Sequence, residues 1–251
     1  VMGCRNPFRI SYDERRKLLF WGEVGPDAGE PDTTFGPQGH DEVNRARAAG
    51  FFGWPYFVGN NKAYREYDYG TKLSGAYYNA EKPINNSPNN TGLNELPAAK
   101  KAFIWYPYAE SKEFPLVGSG GRNAMAGPVY YADDFKTAAR AYPKYYDGKL
   151  FIYEWMRGWI MNVTLDKDGN YQSMERFMPS YKFSNPMDIE FDANGDLYML
   201  EYGSGWFSAN DDARLIKIEY NGGKRKPSIQ VNADKLGGSI PLNVTLNADG
   251  T

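Results

Sequence analysis

Apolar and polar positions alternate in several short stretches of the chain, and these stretches repeat. Residues 6–13 alternate in this way and end in an aspartate, and residues 185–192 repeat the pattern Asn-Pro-x-x-Ile-x-aromatic-Asp. A mostly apolar run that ends in glutamate follows each copy, at residues 19–23 and 197–201, and a third such run lies at residues 150–154. Alternation with a period of two, bounded by turn residues, predicts β-strands that are joined by tight connections.

The repeat extends on both sides of these runs. Residues 127–131 resemble the first strand of the third copy, and alternating strands follow at residues 160–165 and 214–220. The succession of strand, turn, strand ending in Glu, loop and strand is typical of a β-propeller blade. We therefore predict an all-β chain containing part of a β-propeller, with about three four-stranded blades visible. Because propellers have typically four to eight blades, the missing ones are expected before residue 1.

Three regions depart from the blade pattern. Residues 56–114 are rich in Asn, Tyr, Pro and Gly. A loop this long is usually functional or disordered, and its tyrosines favour an ordered excursion over one propeller face, with a decorative insertion as the open alternative. A short helix is predicted at residues 133–141, where Asp134 is the candidate cap. Residues 223–227 form a basic, glycine-containing linker.

Residues 228–251 follow the linker and contain two predicted strands, at residues 228–233 and 240–246. They resemble the opening of a PKD-type immunoglobulin-like domain. The predicted organisation is thus a propeller portion at residues 1–222, the linker, and a truncated PKD-type module. The chain is expected to be a fragment that is cut at both ends.

Composition excludes several classes of function. The net charge is −2 with both signs interspersed, so no basic stripe indicates a nucleic-acid partner. No apolar run is long enough to span a bilayer. Aromatic residues make up 16 % of the chain, which suits an all-β fold and also a sugar-binding surface. Cys4 is the single cysteine, so an internal disulfide is impossible. The cysteine count therefore does not indicate whether the protein is exported.

Four short motifs follow one another within the first 55 residues. They are Arg5-Asn6-Pro7, Gly25-Pro26, Asp41-Glu42-Val43-Asn44 and Gly53-Trp54-Pro55. Their types and order resemble the soluble glucose/sorbosone dehydrogenase family, whose cofactor is pyrroloquinoline quinone. The resemblance covers most of residues 1–222. It implies a bacterial β-propeller enzyme that is secreted, periplasmic or attached to the cell surface. It also implies a sugar substrate and an external electron acceptor such as a cytochrome.

The resemblance assigns Arg5 and Asn6 to the quinone. An arginine offers a planar fork of donors to a carboxylate or to quinone oxygens, and an asparagine adds an amide donor. A structural salt bridge for Arg5 and a turn amide for Asn6 are the alternatives. Arg157 and Trp155 are further candidates for the quinone, because they follow a blade strand where side chains reach the channel mouth. Trp155 could instead belong to the core.

The resemblance also implies two calcium sites. The carbonyls of Gly25 and Pro26 would bind the calcium that touches the cofactor, and Glu42 with the carbonyl of Phe52 would bind a second, structural calcium. Oxygen ligands of this kind are those that calcium prefers. The alternatives are an ordinary Gly-Pro turn and a solvated acidic face.

Glutamates recur at one blade position, as Glu23, Glu154 and Glu201. Carboxylates close to one axis repel each other unless a cation or a hydrogen-bond donor neutralises them. We favour a structural role for each, in which the carboxylate bonds the backbone amides of a neighbouring blade.

Two departures from the family pattern leave the function open. Phe8 stands where the family has a glutamine that helps to hold the quinone. The family's catalytic base is a histidine of the early blades, expected before residue 1, and the role is not transferred to His40, the only histidine. The predicted function is part of a calcium-assisted dehydrogenase that transfers hydride from a sugar hydroxyl or hemiacetal to the quinone, with the fragment inactive alone. The alternative is a non-catalytic, calcium-stabilised, carbohydrate-binding propeller.

Overall fold

The computed structural model describes residues 2–138, 140–222, 229–235, 237–239 and 241–250. These residues form an all-β structure, and none of them lies in an α-helix. Three short 3₁₀ helices are present among them, at Pro115–Val117, Ala132–Phe135 and Lys144–Tyr146. No helix in this part of the chain is long and apolar enough to cross a membrane. The all-β prediction is confirmed.

The chain divides into two compact units, Val1–Glu219 and Tyr220–Thr251. The strands of the first unit are β1 (Pro7–Asp13), β2 (Leu18–Glu23), β3 (Asp41–Ala46), β4 (Phe57–Val58), β5 (Lys62–Ala63), β6 (Arg65–Asp68), β7 (Leu73–Tyr77), β8 (Ile104–Tyr106), β9 (Ala124–Val129), β10 (Leu150–Glu154), β11 (Trp159–Leu165), β12 (Tyr171–Phe177), β13 (Pro186–Phe191), β14 (Leu197–Glu201) and β15 (Arg214–Ile218). The second unit contains β16 (Ile229–Ala233) and β17 (Leu246–Gly250), which pair antiparallel.

Three sheets of the first unit have the arrangement of propeller blades. Blade 1 has the strand order β1-β2-β3-β8, blade 2 has β9-β10-β11-β12, and blade 3 has β13-β14-β15. All neighbours within these blades are antiparallel. β1 and β13 both lie against β9, so the first strands of the three blades face one another. The predicted four-stranded antiparallel blades are confirmed for blades 1 and 2, while blade 3 has three strands among the described residues.

The recurring glutamates occupy equivalent positions at the end of the second strand in each blade. Glu23, Glu154 and Glu201 lie opposite the first residue of their blade's first strand, namely Pro7, Ala124 and Pro186. Each buried carboxylate accepts hydrogen bonds from backbone N–H groups just before that strand, and the donors are those of Arg5, Asn6, Asn123 and Ser184. The amide-bonding interpretation is confirmed. The amides belong to the glutamate's own blade, however, because the antiparallel pairing of the first two strands brings them there.

Apolar side chains fill the spaces between the blades. Leu18, Phe20 and Val43 of blade 1 pack with Leu150 and Ile152 of blade 2 in one cluster. A second cluster joins blades 2 and 3 through the side chains of Phe151, Tyr153, Ile160, Ile189, Leu197 and Met199. The alternation therefore marks a buried face in blade 3, where Ile189, Leu197 and Met199 are buried, but not in β1, where Ile10 and Tyr12 are 63 % and 54 % exposed.

Two predicted elements are wrong. In place of a helix at residues 133–141 there is one 3₁₀ turn, Ala132–Phe135, and Asp134 does not cap it. Its carboxylate instead pairs with Arg15 at 2.5 Å. The strand predicted at residues 240–246 is replaced by β17, which starts only at Leu246, since Pro241 has no N–H to donate to a ladder. Residues 223–227 of the predicted linker, together with Ser228 and Ile240, lie outside the described residues.

We expect Glu154→Ala to lower the free energy of unfolding by about 1–3 kcal/mol, because the half-buried N–H groups of Asn123 and Arg157 lose the buried carboxylate that accepts their hydrogen bonds. Urea denaturation of the intact protein measures this loss. Glu30→Ala is the matched control, since Glu30 is exposed, and it should change the free energy by less than about 0.5 kcal/mol. Equal effects of the two substitutions would contradict the structural role of Glu154.

Candidate functional site

The motifs of the first 55 residues meet at one edge of blade 1. Because neighbouring strands are antiparallel, the start of β1, the end of β2 and the start of β3 lie at the same edge. A small cavity of about 10 Å³ lies there, which is close to the ~10–15 Å³ that one water molecule needs. It is lined by Gly3, Arg5, Glu23, Gly25, Pro26, His40, Glu42, Phe52, Trp54, Phe57 and Val58. The fold thus brings together five of the eight residues predicted for cofactor and metal.

Two charged side chains fix the Gly25-Pro26 segment. Asp41 is buried, and its two carboxylate oxygens accept the N–H groups of Gly25 at 3.1 Å and of Ala124, the first residue of β9, at 3.0 Å. The guanidinium of Arg122 lies 3.4 Å from Asp41 and donates to the Pro26 carbonyl at 2.8 Å. Burial raises the pKa of Asp41 to about 6, and the charge of Arg122 opposes this rise. The Pro26 carbonyl therefore already has a cationic donor.

Arg122 follows a glycine-rich segment, residues 118–121, and is buried. Its guanidinium lies 3.9 Å from the ring centre of Tyr108, whose hydroxyl donates to Asp27 at 3.0 Å. Its Nε is buried and has no hydrogen-bond partner within the described part of the chain. The structure shows a buried ion pair with Asp41 that links blades 1 and 2, a contact that no sequence pattern revealed.

The carboxylate of Glu42 is the most perturbed group at the small cavity. It accepts the N–H of Gly59 at 2.5 Å and the side-chain amide of Asn44 at 2.9 Å. Burial, together with the charges of Glu23 and Asp41, raises its pKa to about 8. Burial likewise raises the pKa of Glu23, which lines the same cavity.

These carboxylates suit a cation in charge and in ligand type. A divalent ion would offset the repulsion between Glu23 and Glu42, and oxygen ligands are those that calcium prefers. Among the described residues no group of three or more His, Cys, Asp or Glu side chains could hold a metal. Backbone carbonyls would have to complete the site, and Phe52, whose carbonyl the sequence analysis assigns to calcium, is among the residues that line the cavity.

His40 is held neutral at the cavity. Its Nδ1 lies 2.9 Å from the Gln38 carbonyl and its Nε2 lies 3.0 Å from Nζ of Lys62. This arrangement assigns the proton to Nδ1 and makes Nε2 an acceptor for the lysine ammonium. Burial and the charge of Lys62 lower the pKa of His40 to about 4. The imidazole of His40 therefore links the ammonium of Lys62 to the backbone carbonyl of Gln38.

Arg5 presents a charged side chain at the mouth of the cavity. Its guanidinium donates to the Val24 carbonyl at 3.0 Å and lies 5.8 Å from the ring centre of Trp54. No acidic side chain of the described residues pairs with it, so the salt-bridge alternative is not observed. Asn6 is also exposed, and its backbone carbonyl accepts the N–H of Val24 at 3.0 Å. Both side chains are available to a ligand.

Arg157 and Trp155 lie away from the small cavity. All five N–H groups of the Arg157 guanidinium donate to backbone carbonyls, which are those of Pro107, Val117, Gly118, Gly120 and Gly121. The guanidinium therefore stabilises the segment of residues 107–121 and has no N–H group left to donate to a cofactor. Trp155 is buried in the cluster between blades 2 and 3 and makes an edge contact with Trp206 at 4.7 Å between ring centres. Phe8 packs against the same cluster, so it cannot supply the amide of the family's glutamine.

The sequence did not reveal an open aromatic cleft beside the small cavity. The cleft has a volume of about 440 Å³ and is lined by Pro26, Ala28, Phe35, Trp54, Pro55, Tyr56, Tyr64, Arg65, Tyr67, Tyr69 and Tyr78. Pro26 and Trp54 line both spaces. The density of tyrosines in residues 56–114 was the only signal, and the fold adds Phe35 and the Gly-Pro segment to them.

Comparisons with known proteins give structural likeness without a family assignment. No protein-family model matches the chain, and no curated protein matches it. Among solved structures, the chain is similar to the PQQ-bound aldose sugar dehydrogenase of Streptomyces coelicolor. The identity is 13 %, the TM-score is 0.44, and the match covers 86 % of this chain and 44 % of that one.

Two further solved structures give similar values. A putative oxidoreductase of Thermus thermophilus, described as a glucose dehydrogenase, is 18 % identical with a TM-score of 0.47, over 86 % of this chain and 46 % of that one. The apo form of the soluble aldose sugar dehydrogenase of Escherichia coli is 16 % identical with a TM-score of 0.42, over 79 % of this chain and 42 % of that one. The chain spans less than half the length of each of these three structures, and all three are described as sugar or glucose dehydrogenases.

Proposed function

We propose that the chain is part of a quinoprotein sugar dehydrogenase that oxidises a sugar hydroxyl or hemiacetal. The observation that carries the proposal is the position of Arg5. Its guanidinium has no acidic partner in the described structure and lies at a cavity that also contains Gly25, Pro26 and Glu42. A cation in that position favours an anionic ligand, and a quinone with three carboxylates is one.

Under this function, the residues at the small cavity divide between the quinone and two calcium ions. Arg5 and Asn6 hold the carboxylates of the quinone, which accepts the hydride when it is bound. Glu42 and the Phe52 carbonyl hold the structural calcium. Gly25 offers its carbonyl to the second calcium, while the Pro26 carbonyl is shared with Arg122 and contributes less, because a guanidinium and a metal ion repel. Trp155 and Arg157 are omitted from the pocket because their contacts are internal.

The remaining assignments are proposals that follow from the same resemblance. The intact protein would be secreted, periplasmic or attached to the cell surface, and it would pass electrons to an external acceptor such as a cytochrome. Its base would be a histidine outside this chain. The second unit would be the opening of a PKD-type module, with the propeller portion ending near residue 222.

A non-catalytic carbohydrate-binding propeller is the second candidate. Two observations favour it: Phe8 packs into the core where the family has glutamine, and the aromatic cleft alone could bind sugar. Reconstituting the intact protein with quinone and calcium separates the two functions. Sugar-dependent reduction of a dye supports the dehydrogenase. Sugar binding without quinone binding or dye reduction would favour the binding module.

We expect calcium to raise the melting temperature of the intact protein and a chelator to lower it, since an ion bound only by the native state stabilises that state by about 2.7 kcal/mol at a hundredfold excess over Kd. The effect should be larger at pH 8 than at pH 6, because the raised pKa of Glu42 makes a proton compete with the ion at lower pH. Glu42→Ala should abolish the response, and Glu30→Ala should retain it. A melting curve that the chelator leaves unchanged would count against the site.

A further inference from the structure

The aromatic cleft adjoins a second, larger space along the first part of the excursion of residues 56–114. This space has a volume of about 1170 Å³ and shares Pro55, Tyr56, Tyr67, Tyr69 and Tyr78 with the 440 Å³ cleft. Its other lining residues are Glu66, Asp68, Thr71, Leu73, Ser74, Gly75, Ile84, Asn86, Ser87 and Pro88. We call the two spaces together the aromatic groove. Sites for compact small ligands have volumes of about 300–1,000 Å³, so the groove exceeds what one small ligand needs.

Aromatic rings line the groove in two groups. Tyr67 contacts Phe35 at 4.6 Å and Tyr69 at 4.9 Å between ring centres, and Tyr56 stacks on Tyr78 at 4.1 Å. The side chain of Tyr69 is exposed, with 81 % of the residue's surface accessible. Such rings offer an apolar face together with a hydroxyl that can donate and accept. A pyranose ring has the matching surface, since its C–H groups form apolar faces and its rim carries hydroxyls.

The backbone of the groove is already ordered. The Tyr64 N–H donates to the Tyr56 carbonyl at 2.8 Å, and the Tyr78 N–H donates to the Tyr64 carbonyl at 3.0 Å. The Arg65 N–H donates to the Phe35 carbonyl at 2.8 Å, and Arg65 begins the β6–β7 hairpin. A preformed site loses less conformational entropy when a ligand binds. The tyrosines are therefore presented by a fixed scaffold.

One hydroxyl at the inner end of the groove still needs a partner. Tyr64 lines the 440 Å³ cleft, and its buried hydroxyl oxygen has no hydrogen-bond partner within the described residues. Buried hydroxyls are nearly always hydrogen-bonded in folded proteins, to protein, water or ligand. Because this oxygen is closed off from solvent, a ligand in the open cleft would contact the ring of Tyr64 and not its hydroxyl.

The charges of the groove select against an anionic ligand. Arg65 is the single cationic side chain among the described lining residues, and two of its five N–H groups are used within the protein: Nε donates to the Gly75 carbonyl at 3.0 Å and Nη1 to the Thr33 carbonyl at 3.1 Å. Glu66 and Asp68 line the outer part and carry negative charge. Carboxylates accept hydrogen bonds from sugar hydroxyls and repel uronic acids and phosphates.

We infer that the aromatic groove binds a linear, uncharged oligosaccharide of several sugar units. The binding itself is independent of the proposed function. The placement of its terminal sugar beside Pro26, where the quinone would react, rests on that function. A dehydrogenase with this groove acts on the ends of oligosaccharide chains in preference to free monosaccharides.

Titration calorimetry of the intact protein, without quinone or calcium, tests the inference. The probes are cellohexaose, xylohexaose, mannohexaose and maltohexaose, with glucose as the monosaccharide and hexagalacturonate as the charged oligomer. At least one neutral hexaose should bind about tenfold more tightly than glucose and hexagalacturonate. The double variant Tyr67→Ala, Tyr69→Ala should weaken this binding by about tenfold or more. Tyr145→Ala should leave it unchanged, since Tyr145 is 59 % exposed and lines neither space.

Each outcome decides the inference. Absence of binding by all four neutral hexaoses, tighter binding of hexagalacturonate, or an unchanged affinity in the double variant would overturn it. Circular dichroism of the double variant confirms that lost binding does not come from unfolding. If the protein binds a hexaose but no quinone, the result supports the inference about the groove and contradicts only the proposed dehydrogenase function.

Discussion

Replacing Arg122 by alanine is expected to lower the free energy of unfolding of the intact protein by about 3–5 kcal/mol. The side chains of Arg122 and Asp41 are each 1 % exposed, so the substitution leaves a carboxylate buried without its cation. The Pro26 carbonyl also loses its donor. Urea denaturation at pH 8 measures the loss. At pH 5 the loss should be smaller, because burial has already raised the pKa of Asp41 to about 6 and the carboxyl becomes neutral.

A paired substitution isolates the unpaired charge as the cause. In Asp41→Asn with Arg122→Met no buried charge remains, and replacing both partners of a buried pair costs much less than removing one. We expect this double variant to be more stable than Arg122→Met alone, and adding Asp41→Asn alone completes a double-mutant cycle that measures the coupling of the two residues. A loss below about 1 kcal/mol in Arg122→Ala would show that the pair does not hold blades 1 and 2 together.

Arg5→Ala is expected to weaken quinone binding by the intact protein by about 1.5–3 kcal/mol, the value of a hydrogen bond to a charged group. Arg5 is exposed and its hydrogen bonds to the protein are those of its backbone N–H and one to the Val24 carbonyl, so the fold should be unaffected. Titrating quinone into both proteins and following its absorbance gives the two affinities. The intact protein should itself bind less tightly than relatives with glutamine at the position of Phe8.

Arg47→Ala serves as the control, since Arg47 is exposed and its guanidinium donates only to the backbone of Arg16 and Asp168. It should leave the quinone affinity unchanged. Equal affinities in wild-type protein and Arg5→Ala would defeat the assignment and put the carbohydrate-binding propeller ahead. Arg5→Lys should recover part of the affinity, because it restores the charge without the planar fork.

The blades follow from local patterns in the sequence. The repeat at residues 6–13 and 185–192 and the recurrent glutamates marked the strands and their turns, because period-two alternation depends only on which face a side chain occupies. The glutamates' bonding to backbone amides could also be anticipated, since an antiparallel pair returns the chain to its own start. That these amides belong to the same blade as the glutamate is shown only by the observed pairing of the strands. The antiparallel pairing of β1, β2 and β3 in the fold then brings Arg5, Gly25 and Glu42 to one edge.

The remaining features depend on contacts between distant segments. Arg157 resembled a ligand in the sequence, but its five donors meet carbonyls of residues 107–121 that only the fold brings near. The ion pair of Asp41 with Arg122 spans two blades, and the aromatic groove joins Phe35 and Pro26 to tyrosines of the excursion. The sequence by itself determined the strands of the blades and the turns between them. The tertiary structure decided which charges are paired and which rings face an open groove, because both depend on packing between segments far apart in the chain.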